Sequence, residues 1–185
     1  MVPDEYHDFF LGVITVGGAL IGLLFVAISV RPANLEDDDR VVMRIRATAA
    51  LLAFLDAVII SLVALLPGAS FGRAAVGIGI AGTVSIVTLL VAVLRRRHRL
   101  RTGELIQALV LVGGQLTAYV LQVVQGVRIP HHSTTAQGIG FQATLIIVLL
   151  FVGVFRAWEY VGGPRTGILG TVDELRHHTE PAVKE

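Results

Sequence analysis

Five long apolar segments alternate with short polar segments along the chain, and this pattern predicts five membrane-spanning helices. The apolar segments cover residues 9–30, 45–66, 74–94, 105–127 and 139–160. Each is close to the ~20 residues that an α-helix needs, at ~1.5 Å per residue, to cross a hydrocarbon core ~30 Å thick. We therefore predict an all-α polytopic membrane protein, with a five-helix transmembrane domain at 1–162 and a short polar tail at 163–185.

The basic residues are distributed unequally among the polar segments. Of the 15 lysines and arginines, 13 lie in or beside the first gap, the third gap and the tail. Because cytoplasmic loops carry an excess of Lys and Arg, this distribution predicts an N-terminus outside and a C-terminus in the cytoplasm. We expect the first span to stay uncleaved, since its leader at 1–8 is acidic and its apolar run is longer than that of a signal peptide.

Composition narrows the class of protein further. The chain has 185 residues, of which 54% are hydrophobic, so we expect no separate soluble domain. The absence of cysteine excludes disulfides and thiolate metal ligands. Arginine supplies 14 of the 15 basic residues, a usage typical of GC-rich prokaryotic genomes, and we expect a bacterial plasma membrane, the inner membrane.

Asp56 is the one ionisable residue near the middle of a predicted span. A central Asp costs about 2.5–3.5 kcal/mol on insertion scales, so it should face protein or water and be protonated or partnered. Thr83 and Ser85 of the third span and Gln115 of the fourth lie at comparable depth. This group indicates either a site for protons or small cations, or hydrogen bonds that hold helices together.

The fourth span carries a polar face. At about 100° per residue its four glutamines fall within an arc of roughly 80°. They are Gln107, Gln115, Gln122 and Gln125. An amide that faces lipid has no partner for its hydrogen bonds. This face should therefore line a water-filled path or a polar interface between helices. Gln142 of the fifth span is expected to meet Gln122 or Gln125.

Small residues and charges mark further contacts. Gly18 and Gly22 of the first span, and Gly79 and Gly82 of the third, predict close helix packing within or between chains. The acidic run at 36–39 predicts that the second helix begins before its span.

Basic residues at the predicted cytoplasmic face are expected to contact anionic lipid headgroups, at ~1 kcal/mol each. The densest group comprises Arg95, Arg96, Arg97, Arg99 and Arg101. Arg156 and Glu159, three residues apart near the inner end of the fifth span, predict an ion pair on the helix surface or contact with headgroups.

Three histidines near the predicted outer ends of the spans suggest a metal site as one hypothesis. His7 lies beside acidic residues before the first span, and His131 and His132 follow the fourth span. If these two segments met, their side chains would bind a metal such as zinc or sense external acidity. Their spacing is not a metal signature, and solvated loops are the alternative. We predict no resident metal or cofactor and no enzyme, because no catalytic motif occurs in a supporting context.

Two functional hypotheses follow. The first is a small channel or transport protein, homo-oligomeric, that moves protons or small cations past Asp56 and the glutamine face. The second is a non-conducting scaffold or regulatory subunit that binds another membrane protein. Both expect membrane lipids as partners and no nucleic acid.

The orientation is testable because the chain has no cysteine. In intact cells, a single cysteine replacing Asp8 should react with a membrane-impermeant maleimide. A cysteine replacing Arg97 should react only after the membrane is permeabilised. Reaction of the Arg97 position from outside would contradict the predicted orientation.

Overall fold

The structure is a computed structural model that describes residues 4–30, 37–68, 70–95, 102–128 and 136–162. Side chains are described for these residues except 37–42, 102–108, 136–137 and 162. A short 3-10 helix, Asp4–Tyr6, leads into the first of five α-helices. The α-helices are α1 (His7–Ser29), α2 (Asp37–Leu65), α3 (Phe71–Arg95), α4 (Thr102–Arg128) and α5 (Ala136–Gly162).

All five α-helices are long and apolar enough to cross a membrane, which confirms the predicted all-α fold and its five segments. Their bounds differ from the predicted spans by a few residues, except where α2 begins. That helix starts at Asp37, well before residue 45, as the acidic run predicted. The tail at 163–185 lies outside the described residues.

Helix α2 lies at the centre of the arrangement. It packs on α1, α3 and α5, whereas α3 packs chiefly on α4, and α4 also contacts α5. In the most apolar part of each helix, 44% of α2 is buried but only 17% of α1 and of α3. Small side chains let neighbouring helices approach α2 closely. Its buried alanines are Ala47, Ala49, Ala50, Ala53, Ala57 and Ala64.

The core continues from one end of the bundle to the other. At the end that holds the N-terminus, hereafter the N-terminal end, Phe10 of α1 lies 6.3 Å from Phe71 of α3 between ring centroids. Ile139 and Ile146 of α5 pack in the same cluster. At the opposite end, Tyr160 of α5 packs with residues of α1 and α2.

Large apolar side chains cover the outside of the bundle. Leu23 is 65% exposed, Phe151 73% and Trp158 66%. Exposed apolar surface on this scale is costly in water, whereas hydrocarbon solvates it without penalty. The five apolar helices thus suggest a multi-pass membrane protein.

Glycines of α3 lie at its contact with α4. A Cβ atom on Gly82 would stand 2.7 Å from the ring of Tyr119, and one on Gly79 would stand 2.8 Å from Val123. Both glycines are therefore in the close helix contact that their spacing predicted.

The glycine pair of α1 is placed differently. Gly18 and Gly22 are exposed, and a Cβ atom on either would meet nothing within 4 Å. Instead Gly17 packs on Val58 of α2, where a Cβ atom would stand 2.5 Å from that side chain. The packing role of Gly18 and Gly22 therefore stays a prediction for contacts between chains.

Two glycines of α4 give a matched test of this packing. A Cβ atom on Gly126 would stand 2.8 Å from the Gly72 carbonyl oxygen, whereas one on Gly114 would meet nothing within 4 Å. Because backbone moves less easily than side chains, Gly126→Ala should lower the free energy of unfolding by about 1–3 kcal/mol. Gly114→Ala should be neutral or stabilising by up to ~1 kcal/mol, as alanine favours helix. Thermal unfolding in detergent measures both, and equal effects would contradict the close α3–α4 contact.

Candidate functional site

Asp56 lies near the middle of the apolar part of α2, Met43–Leu65, with its side chain turned into the bundle, only 4% exposed. The amide nitrogen Nε2 of Gln122 on α4 donates a hydrogen bond to Asp56 Oδ1 at 3.0 Å. Gln122 is itself fully buried. Two residues singled out separately in the sequence are thus brought into direct contact.

A second polar contact joins the same two helices. Gln115 Nε2 donates to the backbone carbonyl oxygen of Ala49 at 3.0 Å. Ala49 precedes Asp56 by seven residues, as Gln115 precedes Gln122. Seven residues are close to two helical turns, so both contacts fall on one face of each helix. Helices α2 and α4 therefore run in the same direction, with these two polar contacts about two turns apart.

Tyr119 stands between the two glutamines of α4 and was not predicted as a site residue. It is fully buried, and its hydroxyl group accepts a hydrogen bond from Gln115 Nε2 at 3.2 Å. It also lies close enough to Asp56 to interact with it electrostatically. The position of Tyr119 one turn after Gln115, on the glutamine face, is the sequence signal that could have identified it. We call Asp56, Gln115, Tyr119 and Gln122 the polar seam.

The two hydroxyl residues predicted at the depth of Asp56 form hydrogen bonds within their own helix, α3. Thr83 and Ser85 donate to carbonyl oxygens of their own helix, those of Gly79 and Ala81, each at 2.8 Å. Their hydroxyl protons are therefore engaged locally.

Three further glutamines complete the predicted set. Gln142 of α5 is fully buried, but among the described residues neither its amide nitrogen nor its amide oxygen has a hydrogen-bond partner. The expected bond to Gln122 or Gln125 is thus not formed. Gln125 is half-buried, and the side chain of Gln107 lies outside the described part of the chain.

The buried atoms of the seam that lack a hydrogen-bond partner in the described part of the chain are all of one element. Within the described residues, the buried seam atoms without a partner are Asp56 Oδ2, Gln115 Oε1 and Gln122 Oε1. All three are oxygens, which accept protons or bind cations. Leaving a buried polar atom unpaired costs about 1–3 kcal/mol, so such atoms call for a partner such as water or an ion. The seam thus offers buried oxygen acceptors to a donor or a cation, one of them on Asp56 itself.

Arg156 and Glu159 are not on the surface as predicted. Their side chains are 2% and 9% exposed, with Arg156 Nη1 and Glu159 Oε2 3.7 Å apart. The predicted pairing is present, but its place on the helix surface was wrong because the buried face of α5 continues to its end. Gly153, which packs on the ring of Phe54, and Tyr160 lie on that face on either side of Arg156.

The remaining predicted sites lie at the ends of the helices. Arg95 is exposed at the end of α3, while Arg96, Arg97, Arg99 and Arg101 fall outside the described residues. His7 is exposed at the start of α1, and His131 and His132 are likewise not described. Across the described ranges, no group of three His, Cys, Asp or Glu residues is placed to hold a metal.

Comparisons of the chain with known protein families, with curated proteins and with solved structures find no match.

A double-mutant cycle tests the central contact of the seam. Asp56→Leu and Gln122→Leu each remove one partner and leave the other buried and unpaired. The double variant removes both, so it should be destabilised by about 0.6–1.7 kcal/mol less than the sum of the single effects. Unfolding in detergent measures the three variants.

Asp56→Leu combined with Gln125→Leu is the control, and its effects should add. Additive effects in the Asp56 and Gln122 cycle would show that these side chains do not interact.

Proposed function

We propose that the protein moves protons or small cations through its helix bundle, with Asp56 as the group that binds them. The observation that supports this most is the chemistry of the polar seam, whose unpartnered buried atoms are all oxygens. A carboxyl oxygen beside amide oxygens can hold a proton or replace part of the hydration shell of a cation.

The depth of Asp56 supports the same function. It lies nine residues before Leu65, the last residue of α2, which is ~13.5 Å along a helix at ~1.5 Å per residue. That is close to the middle of a hydrocarbon core ~30 Å thick. Ionisable groups at this depth are costly, and they commonly mark ion pathways and proton relays.

The seam is closed in this structure, since its unpartnered oxygens are buried. Transport therefore requires that α4 and α2 move apart. Among the described residues these helices are joined by glutamine side chains rather than by close backbone packing. Breaking two such hydrogen bonds costs only about 1–3 kcal/mol, which thermal motion supplies readily. The hydrogen-bonded contact between α2 and α4 can therefore break and re-form during transport.

The setting of the bundle belongs to the same proposal. We place it in a bacterial plasma membrane because arginine supplies 14 of its 15 basic residues. The N-terminus is placed outside because 13 of the 15 lie in alternate segments. Anionic lipids would then contact Arg95 and the arginines that follow it. We also propose a homo-oligomer, for which the exposed Gly18 and Gly22 offer a close-packing surface.

A non-conducting scaffold or regulatory subunit is the second candidate. It is favoured by the two hydrogen bonds from α4 to α2, which fix helix packing without any need to open. In that case the polar seam sets the register of the bundle, and the outer faces bind another membrane protein.

Flux through liposomes tests the transport function. Purified protein should carry protons or potassium across the membrane when a gradient is imposed, as read by a dye enclosed in the liposomes. Asp56→Asn should reduce that flux at least tenfold, because it removes the titratable group and one charge-binding oxygen. Asp8→Asn makes the same chemical change on an exposed residue and should leave the flux unchanged.

The possible outcomes separate the candidates. Absence of flux in the wild-type protein would reject transport of these ions, and a stoichiometric second protein retained in mild detergent would then support the scaffold. Equal flux in wild type and Asp56→Asn would remove Asp56 from the mechanism.

A further inference from the structure

The end of the bundle opposite the N-terminal end contains a buried arginine with unused donors. Arg156 is 2% exposed, and its Nε and Nη2 atoms have no hydrogen-bond partner among the described residues. Its Nη1 atom faces the acidic group of Glu159 at 3.7 Å, a separation longer than a hydrogen bond. A guanidinium is always charged and presents five N–H donors, so burial with donors unpaired is unfavourable.

The two free nitrogens form one recognition edge. In a guanidinium group the N–H bonds of Nε and Nη2 point to the same side, parallel to each other. This edge matches two oxygens of a phosphate or a carboxylate in a bidentate contact. Glu159 lies toward the other terminal nitrogen, Nη1, so the edge stays available.

Charge balance favours an anion with a single negative charge. Arg46 of α2 interacts electrostatically with both Arg156 and Glu159, so among the described side chains the group comprises two cations and one anion. Its formal net charge is +1, and a phosphodiester with one negative charge would neutralise it. A buried charge that stays unbalanced is strongly destabilising.

The depth of the group suits a phosphate. Arg156 lies six residues before Gly162, the last residue of α5, or ~9 Å along the helix. Arg46 lies three residues after Met43, where the apolar part of α2 begins. Both cations are therefore near the level at which phospholipid phosphates meet the hydrocarbon core.

We propose that Arg156 and Arg46 bind a phosphate group, with the Nε and Nη2 atoms of Arg156 as bidentate donors. The phosphate belongs to an anionic phospholipid or to a soluble phosphate. Because both nitrogens are covered in the chain alone, the phosphate enters as neighbouring side chains move aside. This site does not involve Asp56, so the proposal does not rest on the transport function.

Binding to delipidated protein in a non-ionic detergent tests the site. The protein is titrated with phosphatidylglycerol and, separately, with inorganic phosphate, and the bound fraction is read by native mass spectrometry. Wild type should bind one of the two probes, which identifies the source of the phosphate. Arg156→Gln should weaken that binding about tenfold or more, since hydrogen bonds to charged groups are strong. Arg95→Gln removes an exposed arginine and should retain the wild-type affinity of the site.

Two further variants keep the test decisive if Arg156→Gln does not fold. Arg46→Gln removes a partly exposed cation and should weaken binding several-fold. Glu159→Gln raises the net charge of the group to +2 and should strengthen phosphate binding. Binding of neither probe by wild type, or unchanged affinity in both Arg46→Gln and Glu159→Gln, would overturn the proposal.

Discussion

The arrangement depends on how a carboxyl group is accommodated in the middle of an apolar bundle. Asp56 cannot face lipid without a large cost, so it turns inward and accepts a hydrogen bond from Gln122. That bond links α4 to α2 although, in the described part of the chain, the two backbones do not pack closely. The position of α4 is thus set by polar side chains on one face and by glycine contacts with α3 on the other.

The small residues make this polar contact possible. Alanines along α2 leave space beside it, so that glutamine side chains from α4 reach its carbonyl and carboxyl oxygens. On the other side, Gly82 leaves space for the ring of Tyr119. The ring can therefore stay buried between the glutamines. Small residues thus permit both the close packing of helices and the polar contacts between α2 and α4.

Much of the fold could be predicted from the sequence, because lengths of apolar segments depend on local composition alone. The inward position of Asp56, Gln115 and Gln122 also followed, since polar groups avoid lipid. Periodicity does not show which neighbouring helix a face meets. One position along a helix turns a side chain by about 100°, which is why Gly17 packs on Val58 while Gly18 is exposed.

The burial of Arg156 could not be predicted from the sequence. A charged residue near the end of a span normally extends to the headgroups, and the sequence around Arg156 supports that expectation. Its burial depends on the face of α5 that packs against α2, which is a property of the whole bundle. The same holds for Tyr119, whose role became visible only beside Asp56.

The most direct test of this account is infrared spectroscopy of Asp56 in lipid. The carboxyl band of Asp56 can be assigned by its loss in Asp56→Asn. We predict that Gln122→Leu shifts this band, because it removes the hydrogen bond to Oδ1, while Gln125→Leu leaves it in place. A band that is unaffected by Gln122→Leu would contradict the contact on which the arrangement of α2 and α4 is based.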